Sequence, residues 1–330
     1  MPEIVLTGSV AYDYLMTYPG KFSDVCLPEH LDSLSLSFLV DSLVKRRGGI
    51  APNIAYTLAL LGEHPTIMAT VGEDFAPDLR LLAELGIDTS AIKVIRGKAT
   101  ASFFATTDQV QAQIASFYPG AMDDAASLSI HDLPERPRVV MISPNSPDAM
   151  AKYVRECREA QIPYFYDPSQ QVARLSGEPI RDGVVTAAAL FCNEYEFAVI
   201  QQKTGLSDKD IFARVPLVVV TRGAKGASIY DRGEEIRIPV VPPKQIADPT
   251  GVGDAFRGGF LKGYLHGLDL ETSGKMGALA ATYCLESQGP EGHFYTPQEF
   301  LRRFREAFGE EAAARVAEVF EQSTNSADQN

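Results

Sequence analysis

Ile4-Val5-Leu6-Thr7-Gly8-Ser9 is a short apolar run that stops at glycine, the pattern of a buried strand whose carboxyl end opens on a site. Comparable runs recur at Thr66–Gly72, Arg138–Ser143, Tyr164–Asp167, Ala188–Asn193 and Leu217–Thr221. Helical patterns lie between several of them, at Asn53–Leu61, Ala76–Leu85, Pro147–Ala160 and Gly253–His266. Strands that alternate with helices predict an α/β fold, a doubly wound and mostly parallel sheet flanked by helices. In such sheets the ligand sits in the crevice at the carboxyl ends of the strands.

Two stretches break the rhythm. Leu34–Val40 and Ala101–Tyr118 alternate apolar with polar or small residues at period two, as strands do. They predict a small antiparallel sheet outside the main one, a lid over the crevice built from discontinuous segments near 12–47 and 98–121. Its exposed edges invite a second copy of the chain, so a homodimer through the lid is expected. Residues 1–330 otherwise read as one large domain, with residues 322–330 expected to be a polar, disordered tail.

A chain of 330 residues with 45% hydrophobic and 22% charged residues can bury a sizeable core. Its formal charge of −13 argues against nucleic acid and against an anionic membrane surface, since both need stripes of Lys and Arg. A small ligand is the expected partner. Any phosphates on it must be held by local devices, such as backbone amides, a helix N-terminus or a metal. Cys26, Cys157, Cys192 and Cys284 show no paired spacing, and no cationic-then-apolar leader opens at Met1-Pro2-Glu3-Ile4. With no apolar run near the ~20 residues of a membrane span, the expected location is the cytoplasm.

Asp248-Pro249-Thr250-Gly251-Val252-Gly253-Asp254-Ala255-Phe256-Arg257-Gly258-Gly259-Phe260 carries the chemistry. Two glycines one residue apart, then an acid and a helical pattern, make a tight turn into a helix whose first N–H groups attract an anion. A plain turn capped by Asp254 is the bland alternative, but the crowd of small residues lets a ligand and a neighbouring strand approach the backbone. No Gly-x-x-x-x-Gly-Lys-Ser/Thr loop occurs, and Gly8-Ser9-Val10 does not supply a dinucleotide fingerprint.

This stretch resembles the signature of the phosphofructokinase-B or ribokinase family, Asp-Thr-x-Gly-Ala-Gly-Asp, with Pro249 and Val252 departing from the usual residues. The resemblance implies transfer of the γ-phosphate of ATP to an alcohol. Asp254 would be the proton acceptor, and the amides of Gly251, Val252 and Gly253 the anion hole. The family's Gly-Gly-x-x-x-Asn matches at Gly48, Gly49 and Asn53, which implies binding of a vicinal diol, with Asp13 as a second diol ligand; Asn53 as a simple helix cap is the alternative. Asn193 and Glu196 match Asn-x-x-Glu, which implies a Mg²⁺ site held largely through water. Thr221, Gly223 and Gly226 match the Thr-x-Gly-x-x-Gly that lies beneath ATP, while Arg222 and Lys225 read as surface charges. The family also implies K⁺ near Asp248 and Thr250.

Several stretches are closer to one branch, the bacterial adenosine kinases: Leu36-Ser37-Phe38-Leu39-Val40-Asp41, Gln113 to Met122, Asp167-Pro168-Ser169-Gln170-Gln171 and Ala173-Arg174-Leu175-Ser176-Gly177-Glu178. That likeness implies a purine between Phe103 and Phe117, with Ser9, Ser37 and Gln170 or Gln171 nearby, and Arg174 at the nucleotide. Both Phe side chains as plain core filling is the competing reading. The ATP purine pocket is expected near Ala278–Gly289, where the family's usual Asn has no counterpart. The expected activity is phosphorylation of the 5′-hydroxyl of adenosine; a sugar kinase of the same fold and a silent nucleoside-binding protein are the alternatives.

Overall fold

The structure, a computed structural model, describes residues 4–25 and 36–327. The chain opens with β1 (Ile4–Thr7), β2 (Ala11–Thr17), β3 (Ser42–Gly48), α1 (Ile50–Leu60), β4 (Thr66–Gly72), α2 (Ala76–Glu84) and β5 (Ile92–Ile95). It continues through β6 (Ala101–Thr107), β7 (Gln113–Tyr118), β8 (Val139–Ile142), α3 (Pro147–Glu159), β9 (Tyr164–Tyr166), α4 (Gly177–Val185) and β10 (Ala189–Asn193). There follow α5 (Glu194–Thr204), α6 (Asp208–Arg214), β11 (Leu217–Thr221), β12 (Ala227–Asp231) and β13 (Glu234–Ile238). Helices α7 (Val252–Leu265), α8 (Leu270–Leu285), α9 (Pro297–Phe308) and α10 (Glu310–Ala327) end it.

Each apolar run of the sequence is a central strand. The nine-stranded sheet has the order β13-β12-β11-β10-β9-β8-β1-β4-β5, parallel except where the hairpin β12–β13 is added at one edge. Successive residues serve opposite faces. Leu6, Met141 and Val219 pack on one side with Ile54 and Leu58 of α1 and Phe260 of α7. Val5, Val140 and Val218 pack on the other with Tyr153 of α3 and Ile180 of α4. From β1 the strand order runs out in two directions, to β4 and to β8, so the crevice beyond their carboxyl ends is the topological switch point.

The lid is a separate four-stranded sheet, order β3-β2-β6-β7. Its outer pairs are antiparallel, but β2 and β6 run parallel, so it is mixed rather than wholly antiparallel. The strand expected at Leu34–Val40 is displaced. Leu34 and Ser35 lie outside the described residues, and pairing starts only at Ser42, opposite Thr17. The alternation at 36–40 has another cause: Phe38 packs against Tyr18 and Phe22 in an aromatic cluster instead of joining a ladder. At the other end, where a disordered tail was expected at 322–330, α10 extends to Ala327, and residues 328–330 lie outside the described residues. Ala312, Ala313 and Val316 give the helix a buried face at helical spacing. No helix among the described residues is long and apolar enough to cross a membrane.

Candidate active site

A cavity of about 1030 Å³ opens between the lid and the carboxyl ends of the strands. Ser9 just past β1 lines it, and ties the strand end to the start of α1: its Oγ accepts the Ile50 N–H at 3.3 Å and its carbonyl accepts the Ala51 N–H at 3.4 Å. Gly49 permits this approach. Its φ is +100°, and a Cβ there would come within 2.4 Å of the Ser9 carbonyl oxygen.

Asn53 stands on the first turn of α1 and is not its cap, which is Gly49. Its Nδ2 donates to Asp254 Oδ2 at 2.8 Å, while its Oδ1 is buried without a partner. Residues 201 positions apart are thus joined where α1 and α7 converge. Asp254 is half-buried on the first turn of α7 and faces the cavity. Burial pushes its carboxyl up to about 7; Arg257 and the Asn53 amide oppose the shift, and Asp167 and Glu196 add to it. A carboxyl poised there can take a proton at neutral pH.

The turn before α7 is built by Asp248. Its Oδ1 accepts the Thr250 N–H at 2.9 Å; its Oδ2 accepts the Gly289 N–H at 3.0 Å and receives Arg46 of β3 at 3.3 Å. Burial works against the ionised form, but these donors outweigh it and hold the group below the usual carboxylate range. Gly251 is the helix cap, in the left-handed region at φ +79°. Gly251 and Gly253 line the cavity and Val252 does not, which leaves Val252 only its amide to offer. N–H groups at a helix start have few acceptors behind them and suit an anion; here the Val252 N–H donates to the Pro249 carbonyl at a long 3.4 Å.

On the lid, Asp13, Phe103 and Phe117 share the inner face, and the two rings are direct cross-strand partners. Burial pushes the Asp13 carboxyl up to about 6, against the pull of Arg46. Gly48 does not line the cavity but lies under Asp13: a Cβ on it would meet Oδ2 at 2.5 Å. Ser37 is exposed and does not line the cavity, contrary to the expected contact with the acceptor. The reason is the displaced strand, which leaves residue 37 beyond the end of the lid ladder.

Gln170, Gln171 and Arg174, after β9, line the opposite wall. Gln171 Nε2 donates to the Asn145 carbonyl at 2.7 Å, which leaves its buried Oε1 unpaired and free to accept. Asn193 and Glu196 form a reciprocal capping box at the start of α5, with both bonds at 2.8 Å. They are structural and cavity-lining at once. Burial raises the Glu196 carboxyl. Thr221 closes the row at the end of β11, whereas Gly223 and Gly226 only shape the turn behind it and do not line the cavity. Arg222 and Lys225 pair with Glu194, as surface charges do. Of the stretch expected to hold the ATP purine, only Gln288 and Gly289 line the cavity; residues 278–285 belong to α8, whose Leu279, Ala280 and Cys284 are buried, and Glu286 and Ser287 follow its end.

Sequence reading missed Arg257, Asp167 and Arg46. Arg257 was findable, because three residues after Asp254 on a helix is the same face. Among the described residues no group of three or more His, Cys, Asp or Glu is placed to hold a metal.

Residues 2–294 match the profile of the pfkB family carbohydrate kinases. A nucleoside kinase of Methanocaldococcus jannaschii is 28% identical over 305 residues, 92% of this chain and 97% of the relative. A cytidine kinase of Thermococcus kodakarensis is also 28% identical, over 81% of this chain and 97% of its own. The nucleoside kinase of Burkholderia thailandensis, solved with inosine, superposes with a TM-score of 0.84 at 35% identity, over 93% of this chain and 98% of that one; a second structure of it holds ADP and inosine.

Proposed function

Since this chain belongs to the pfkB family of carbohydrate kinases, ribokinase-like phosphotransferases that act on a hydroxyl group, we propose that it transfers the γ-phosphate of ATP to the 5′-hydroxyl of a nucleoside, adenosine foremost. One observation carries this reading: the Asn53–Asp254 hydrogen bond, at a glycine-capped helix start, in a cavity that the lid lines with two aromatic rings. The solved relative with inosine supports a purine nucleoside as acceptor.

Phosphoryl transfer has a loose transition state, so placement and charge neutralisation dominate. In this reading Asp13, Gly49 and Asn53 hold the ribose diol, Phe103 and Phe117 stack on the base, and Gln170, Gln171 and Ser9 meet its edge. Asp254 orients the 5′-hydroxyl and accepts its proton, while the amides of Gly251, Val252 and Gly253 hold the transferring oxygens. Thr221 and Arg174 lie along the triphosphate. Asn193 and Glu196 would hold Mg²⁺ mostly through water. One amide and one carboxylate suit a hard ion that keeps much of its hydration and is ligated by phosphate oxygens. When bound, the ion neutralises charge on the β- and γ-phosphates. The residues near Asp248 do not fit K⁺: both carboxylate oxygens are engaged, and Arg46 already brings a positive charge. We assign no monovalent ion. A homodimer through the lid is part of the proposal, supported by Leu43, Phe104, Ile114 and Tyr118 exposed on the lid. The buried free thiols of Cys157, Cys192 and Cys284 suit a reducing cytoplasm.

An ATP-consumption assay with adenosine, inosine, guanosine, cytidine, ribose and fructose tests the function. Adenosine should give the highest kcat/KM, and a preference for either free sugar would overturn the nucleoside reading. Phe117→Ala should raise the KM for the nucleoside roughly 5- to 150-fold, the loss of one base–aromatic stack of ~1–3 kcal/mol, with the KM for ATP nearly unchanged. Equal rises in both would remove Phe117 from the acceptor pocket.

A further inference from the structure

Arg257 sits one turn beyond Asp254 on the same face of α7, lines the cavity and is 6% exposed. Its Nη2 donates to Asp167 Oδ1 at 2.5 Å. Asp167, wholly buried just past β9, also accepts Ser143 Oγ at 3.1 Å, so the guanidinium is anchored from below. Its Nη1 lies under the anion-binding turn, so close that a Cβ on Gly253 would come within 2.9 Å of it. Its Nε is buried and has no partner.

A purely structural ion pair explains this poorly. A buried pair adds little net stability over apolar residues of the same volume, and a structural arginine would not keep an unpaired N–H in the wall of a cavity. The electrostatics are more telling. Asp254 is acted on by Arg257 and by the Asn53 amide, which favour its ionised form, and by Asp167 and Glu196, which oppose it; across the loop Cys284 feels its charge in turn. Asp254 and Glu196 line the cavity where a triphosphate must also enter, Asp167 is buried behind them, and the Arg257 guanidinium interacts electrostatically with all three.

We propose that Arg257, anchored by Asp167, is a positioning residue that holds Asp254 in its ionised, proton-accepting form and braces the Gly253 turn beside it. The inference rests on Asp254 as proton acceptor in the reading above. It makes the Asp167–Arg257–Asp254 array one electrostatic unit, with Asp167 acting only through the arginine.

The test is the pH dependence of kcat/KM for the nucleoside between pH 5 and 9. It compares the wild type with Arg257→Met, Arg257→Lys and the double variant Asp167→Asn/Arg257→Met. The double variant removes both charges, and covers the case in which an unpaired Asp167 prevents folding. Nucleoside affinity without ATP is measured alongside by calorimetry. In Arg257→Met the acidic limb should move up by about one pH unit or more, ~tenfold in rate on that limb, and in the double variant, which also removes the opposing charge of Asp167, it should move up by less. Arg257→Lys should return the limb to within about half a unit, and nucleoside affinity should change less than about threefold. An unmoved limb in a folded Arg257→Met or double variant overturns the proposal while leaving Asp254 in place. An acidic limb that survives unchanged in the residual activity of Asp254→Asn overturns the role of Asp254, and the proposal with it.

Discussion

Asp254→Asn is expected to lower kcat by roughly 10²- to 10⁴-fold, the usual worth of a positioned proton acceptor, with nucleoside affinity largely intact. The amide has nearly the shape of the carboxylate and still offers an oxygen to Asn53 Nδ2, so the contact between α1 and α7 survives while the basic site is lost. The wild-type pH profile should follow the same group. A carboxyl pushed up to about 7 is protonated below that pH, so kcat/KM should rise through pH 6 to 8 with a slope of one proton. Stability runs the other way. The folded carboxyl binds its proton more tightly than the unfolded one, so its contribution is fully present below the unfolded value of 3.8 and fades as pH rises through about 7. Asp254→Asn, with no proton to lose, should therefore unfold at a higher temperature than the wild type at pH 8 while turning over far more slowly. Thermal scans at pH 5 and pH 8 beside initial rates measure both. Unchanged turnover would sink the assignment.

Such a trade of stability for activity is what a buried carboxyl in a cavity produces, and it bears on what the sequence could reveal. The central strands were legible because a parallel sheet covered on both faces leaves apolar runs with no alternation, and β1, β4, β8 and β11 have them. The motif at Asp248–Phe260 was legible because Gly251, Gly253 and Asp254 must follow one another for the helix start to serve as an anion site. The lid was half legible. Phe103 and Phe117 alternate cleanly with their neighbours, but Tyr12-Asp13-Tyr14 in β2 does not read as a strand, since Tyr12 is buried under α2 residues and Asp13 faces the cavity. Ser37 failed for the opposite reason: its period-two pattern comes from an aromatic cluster and not from a ladder. The spacing from Asp254 puts Arg257 on the same helix face, but its pairing with Asp167, 90 positions away, and that of Arg46 with Asp248, 202 positions away, leave no trace in the sequence.

Distance also decides how a chain of net charge −13 can hold a triphosphate. The global field repels the ligand, so affinity must come from short-range donors, and the turn at Gly251 is the device most exposed to a single substitution. Gly251→Ala is expected to cost about 10²- to 10³-fold in kcat, the scale on which removal of an oxyanion-hole donor is felt. Two effects add. At φ +79° a side chain costs ~1–2 kcal/mol of backbone strain, and the new methyl carbon would lie 2.4 Å from Pro290 Cβ and 2.9 Å from its Cα. Neither is the free end of a flexible side chain, so the turn itself must shift, and the amides shift with it. Gly267→Ala separates strain from displacement. Gly267 has φ +76° just past the other end of α7 and nothing within 4 Å of where its Cβ would stand. That variant should lose comparable stability from strain and keep its kcat, while Gly251→Ala loses both. Should the two variants turn over alike, the helix start at Gly251 is not where the transferring oxygens are held.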